Sequence, residues 1–238
     1  MEQAWEQWWD AFVSGFARTV PPSVGTLELA LVLAGAAAVC LIPALWRLFG
    51  RFVTIVHELG HALAGIATGM RITGITLRMD QGGVTRGVGK GRSVWFGFWG
   101  YPAPALAGLG LVWAASAGWG RASLSGAVLV LVVALVLIRN AQGVLILSGT
   151  ILAAGAMVVL VPPEAQAHVA LAGGLGLLLG AARDWWNLVS VHTGRRRELA
   201  SSDAFILAQR TGVPAVVWLA AFAAMIGGCG AAAWTILA

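Results

Sequence analysis

Seven long apolar runs, near residues 25–45, 46–69, 95–118, 122–138, 143–161, 167–189 and 213–237, dominate the 238-residue chain. Most approach the roughly 20 residues a helix needs to cross about 30 Å of hydrocarbon. Hydrophobic residues make up 59% of the chain and charged residues 11%, against about 45–50% and 25% in soluble domains. Too little polar surface remains to face water. Backbone in lipid must satisfy its own hydrogen bonds, so the expected class is an all-α polytopic membrane protein with about six or seven transmembrane helices. The formal charge of +5 sits mainly in short loops, where it sets topology and gives no reason to expect nucleic acid. Cys40 and Cys229 lie inside apolar runs and read as small buried hydrophobes.

Residues 1–22 carry acids at Glu2, Glu6 and Asp10 and no basic region ahead of an apolar core, which is unlike a cleavable signal peptide. Trp5, Trp8, Trp9, Phe12 and Phe16 recur at helical spacing and predict an amphipathic helix in the membrane interface, ended by Pro21 and Pro22. Residues 23–238 then form a single membrane domain. Within it, residues 71–92 break the pattern: Ile75, Leu77 and Met79 alternate with Thr76, Arg78 and Asp80, and Gly82-Gly83 offers a turn before Val84, Arg86 and Val88. That predicts a short β-hairpin. Residues 190–212 read as a basic cytoplasmic loop. Alternating the loops between two sides groups Arg71 to Arg92 and Arg195 to Arg197 with the N-terminus, leaving Arg47, Arg51 and Arg121 opposite. The positive-inside rule then predicts a cytoplasmic N-terminus in the cell (plasma) membrane.

The second run contains His57-Glu58-Leu59-Gly60-His61, an H-E-x-x-H pattern on a helix. At 3.6 residues per turn the two imidazoles stand one above the other and can hold one zinc ion. Glu58 is then placed to take a proton from a water bound there, the base of metal-assisted hydrolysis. Three ionisable groups within five residues of an apolar helix also need something to offset their desolvation. Zinc needs a third protein ligand. Asp184, in an apolar helical segment beside Arg183, Trp185 and Trp186, is the first choice. Asp203 is the second, although Ser201-Ser202-Asp203 reads better as a helix N-terminus. His168 and His192 read as interfacial.

These features resemble the site-2 proteases, the intramembrane zinc metalloproteases, over about residues 50 to 237. The similarity is strong at His57-Glu58-Leu59-Gly60-His61-Ala62. It extends, as in a bacterial branch of the family, to Arg139-Asn140-x-x-Gly143 and to Ser202-Asp203-Ala204 through Thr211-Gly212-x-Pro214. The resemblance implies two histidines and an aspartate on zinc, a glutamate base, and a single-pass membrane protein as substrate. Arg183-Asp184-Trp185 departs from the family's usual Asp-Gly third-ligand segment. A substrate helix must unwind before cleavage, and the edge of the 71–89 hairpin offers strand addition. Asn140 is a candidate for orienting substrate or stabilising an oxyanion. No soluble sensor domain is visible, so regulation falls to a membrane partner, prior cleavage of the substrate, or lipid. The rival expectations are a proton or metal transporter using the same buried groups, and an inactive binding relative.

Overall fold

The structure is a computed structural model that describes residues 6, 9, 10, 12–22, 24–89 and 93–238. Trp5, Trp8, Lys90 and Arg92 therefore lie outside the described residues. The chain runs through α1 (Thr26–Leu41), α2 (Pro43–Ala67), β1 (Arg71–Leu77), β2 (Gly83–Val88), α3 (Ser93–Phe98) and α4 (Pro102–Ser116). It continues through α5 (Gly120–Ala134), α6 (Ala141–Leu160), α7 (Pro163–Thr193), α8 (Asp203–Thr211) and α9 (Ala215–Leu237). Short 3-10 turns follow α5 and precede α8.

Among the described residues, the helices long and apolar enough to cross a membrane are Gly120–Leu137, Ala141–Leu160, Pro163–Thr193 and Ala215–Leu237, and α1 with α2 makes a fifth if the bent pair counts as one span. The polytopic helical class holds, and fewer of the seven apolar runs form a single long helix for two physical reasons. Pro43, which has no N–H to donate, opens α2 at a 92° bend from α1. The run at 95–118 breaks around Gly100 into six-residue α3 and fifteen-residue α4, which starts on Pro102.

At the bend, the guanidinium of Arg183 donates to the Cys40 carbonyl and lies 4.6 Å from the centre of the Trp46 ring. A carbonyl left over by the broken helix is thereby satisfied. The bundle core packs through small residues. A methyl group on Gly108 would come within 2.6 Å of the Gly174 carbonyl, and one on Gly174 within 2.7 Å of the Gly108 carbonyl. Only glycine lets α4 and α7 approach this closely.

The hairpin forms as expected after the H-E-x-x-H helix. β1 and β2 pair antiparallel with Ile75 opposite Thr85, a register shift lies between Ile72 and Gly74, and the Arg78 N–H closes the turn on the Gly82 carbonyl. The outer edge of β1 is already taken. The Arg139 N–H donates to Ile75, while the Asn140 side chain donates to the Leu77 carbonyl and accepts from the Leu77 N–H. Asn140 therefore acts as a strand clamp.

The 190–212 segment is mostly helical. α7 runs on to Thr193, and α8 is opened by Ser202, whose hydroxyl accepts from the Phe205 N–H. It is closed by Gly212 in the left-handed conformation. At the other end of the bundle, Thr19 N–H and Arg18 donate to the carbonyls of Gly118 and Ala117 beyond the C-terminus of α4. The segment before α1 thus lies at the opposite end of α4 from Tyr101 and the hairpin.

Candidate metal centre

Helix α2 owes its packing to a mixed face. Val53, Ile55, Glu58, His61 and Ala62 are buried, while Leu63 and Ile66 are exposed. One turn of helix brings the His57 and His61 Nε2 atoms to 3.1 Å from each other. The third vertex comes from α8: Asp203 Oδ2 lies 3.3 Å from His57 Nε2 and 3.4 Å from His61 Nε2. Zinc–nitrogen and zinc–oxygen bonds of about 2.0–2.1 Å imply ligand atoms about 3.3 Å apart on a tetrahedral edge. The three observed separations match that edge, so the residues fit the ion that H-E-x-x-H implies.

The surroundings favour the same reading. His61 Nδ1 is 2.7 Å from the Phe96 carbonyl. A carbonyl can only accept, so the proton sits on Nδ1 and the Nε2 lone pair of a neutral ring is free for a metal. Tyr101 meets the His57 ring edge-on at 4.8 Å and stacks on Phe222 at 5.1 Å, which fixes the first imidazole from the side. Gly100 supplies space: a methyl group there would fall 2.3 Å from His61 Nε2 and 2.6 Å from His57 Nε2. Burial pushes the Asp203 carboxyl upward, but His61 and His57 facing it prevail and hold it well below the usual carboxylate range.

Glu58 is 4% exposed. The Thr85 hydroxyl on β2 lies 2.6 Å from Glu58 Oε2 and 3.0 Å from the Glu58 carbonyl, and its single proton has the charged oxygen as the stronger acceptor. Gly83 leaves room for this carboxylate, since a methyl group there would come within 2.4 Å of Oε1. The hairpin therefore lies directly against the base.

A family model described as Peptidase M50B-like matches residues 30–233. The chain belongs to the Peptidase M50B-like family. No curated protein and no solved structure matches it. M50B-like membership places the chain among membrane metallopeptidases of the site-2 protease family, and its H-E-x-x-H helix lies within the matched region.

In this M50B-like chain, His57, Glu58 and His61 come together as the motif predicts. Asp184, the first choice for third ligand, is not one of the three residues whose ligand atoms converge; Asp203 occupies that place. Asp184 sits on α7, within electrostatic reach of His57 and beside Arg183, but makes no ion pair with either imidazole. Desolvation favours a carboxylate inside an apolar helix, whereas Asp203, the second choice, is carried in at the start of a short one. The Ser202-Asp203 start of α8, already within the family resemblance, was the signal for it. His168 pairs with Glu28 at 2.8 Å, away from the site. A cavity of about 670 Å³ between α2, α4 and α5 is lined by residues such as Leu59, Leu63 and Leu106 and includes no residue of the triad.

Proposed function

We propose that the chain is an intramembrane zinc metalloprotease that hydrolyses peptide bonds of single-pass membrane proteins. The observation that carries this reading is the triangle of His57 Nε2, His61 Nε2 and Asp203 Oδ2 at tetrahedral spacing with a buried glutamate beside it. Zinc held by these residues would supply Lewis acidity toward a scissile carbonyl. Glu58 would take the proton of the attacking water and return it to the departing nitrogen. With Oε2 held by Thr85, the remaining oxygen is the one that exchanges protons.

Among the described residues, the hairpin leaves the edge of β2 for a substrate strand. Ile75 turns its carbonyl toward Arg139, so the alternation of an antiparallel pair turns the backbone groups of Gly83, Thr85 and Gly87 away from β1. An unwound segment adding to this edge would lie next to Glu58. The Asn140 clamp on Leu77 supports β1 and argues for β2 as the receiving strand.

The end that bears the hairpin also bears Arg139 and Arg195 to Arg197, while Arg18 and Arg121 lie at the other end. We assign the chain to the plasma membrane, and the positive-inside rule supports an orientation with the hairpin and metal centre toward the cytoplasm. With α1 and α2 as one broken span, the N-terminal segment falls on the far side, the reverse of the orientation expected from alternating loops.

The test uses detergent-purified protein, zinc counting, and a panel of reconstituted transmembrane peptides with glycine or proline near mid-span. Wild type should bind one zinc and cleave some of the panel, and Glu58→Gln should keep the zinc and lose cleavage by about 10²–10⁴-fold. Cleavage unaffected by Glu58→Gln, or zinc-free protein that carries protons or metal ions across liposomes, would overturn the proposal.

A further inference from the structure

Asp203 is the first residue of α8, and the start of that helix is held by groups outside the metal centre. The preceding residue does that work. Ser202 is 6% exposed; its hydroxyl accepts from Phe205 N–H at 3.3 Å, and its carbonyl accepts from Ile206 N–H at 2.9 Å. The same hydroxyl shares a hydrogen bond of 2.7 Å with His192 Nε2, in the last turn of α7. The nine-residue connection between them turns back on itself. Gly194 and Arg195 N–H groups donate to the Ser190 carbonyl, and Ser202 N–H donates to Leu199. Leu188, Ala204, Leu207 and Phe222 then seat α8 in a small apolar cluster.

We propose that His192 and Ser202 form a positioning pair for the third metal ligand, pinning the start of α8 so that Asp203 Oδ2 meets the two imidazoles. The inference rests on the metal-centre reading above. Its physical basis is the sensitivity of metal sites to their supporting bonds. Outer hydrogen bonds typically govern 10–100-fold of metal affinity, and a ligand on the first turn of a helix moves first when that turn frays. His61 has its support in the Phe96 carbonyl. His192 and Ser202 supply the equivalent for the carboxylate, which arrives from another element and has no helical repeat to align it with His57.

The experiment measures zinc affinity of the full-length protein in detergent by competition with a chromogenic chelator, with no peptide substrate involved. Ser202→Ala and His192→Ala should each weaken zinc binding by about 10–100-fold. The double variant should be no weaker than the worse single one, because both remove the same support. Ser202→Thr and His192→Gln, which keep a hydroxyl and a polar group at the Nε2 position, should return to within about threefold of wild type. Gln166→Ala is the control for general loosening: Gln166 is equally buried and donates to the Val158 and Val161 carbonyls at the other end of α7. It should leave zinc affinity unchanged. Wild-type affinity in His192→Ala, strictly additive losses, or an equal loss in Gln166→Ala would overturn the positioning role. Wild-type protein that takes up no zinc would instead sink the metal-centre reading, and this inference with it.

Discussion

The surroundings of Asp184 and Asp203 differ in how each carboxylate is held. Asp184 belongs to a 31-residue helix whose position is set by close packing against α4 and α2, so its carboxylate stays where that packing leaves it, without an ion pair to either imidazole. Its neighbour Arg183 is committed to the Cys40 carbonyl and the Trp46 ring. Asp203 starts a nine-residue helix delivered by a turn and a serine cap, and that helix places Oδ2 3.3 and 3.4 Å from the two Nε2 atoms. A carboxylate on a long, packed helix is thus held where the packing leaves it, whereas a carboxylate on a short, capped arm can be aimed. Desolvation alone does not separate the two roles.

The sharpest way to break this comparison is to remove each carboxylate. Asp203→Ala should lower zinc affinity by more than about a hundredfold, since it deletes a proposed ligand and outer-sphere losses alone reach that size. Asp184→Ala should stay within about threefold of wild type. Equal effects on zinc binding would erase the distinction. Next in size is Gly100→Ala, whose methyl group would collide with both Nε2 atoms; zinc affinity should fall by about tenfold or more, as it does when ligands are pushed off their geometry.

Thr85→Val tests whether the hairpin acts on the base and not on the metal. Loss of a hydrogen bond to a charged group, worth about 1.5–3 kcal/mol, should reduce kcat by about tenfold or more with zinc content unchanged, and Thr85→Ser should restore it. A loss of zinc would place Thr85 in the metal's support instead. The smallest effect belongs to the Asp184 side. Arg183→Met should lower unfolding stability by about 1–3 kcal/mol, the penalty of an unpaired buried carbonyl, measured by denaturant titration in mixed micelles, with zinc affinity held within about threefold.

The membrane class, the hairpin and the pair of histidines were legible because each depends on local periodicity: apolar runs of span length, alternation over Ile75 to Met79, and a four-residue interval between rings. The bend at Pro43 and the break at Gly100 were not, because an apolar run looks the same whether its backbone is continuous or broken. Asp203 was legible as a helix start, which the Ser202 cap bears out. Its place beside His57 depends on a contact between residues 146 positions apart, and no local pattern carries that. Asn140 was expected near substrate and is found clamping Leu77. An asparagine amide can donate and accept at once, and the sequence offered no partner by which to choose its role.

Zinc-edge anomalous diffraction from crystals of the wild-type protein addresses the metal centre directly. A single anomalous peak about 2.0–2.1 Å from His57 Nε2, His61 Nε2 and an Asp203 oxygen is the predicted result. A peak bonded to Asp184 and not to Asp203, or none between the two imidazoles in zinc-replete protein, would contradict it.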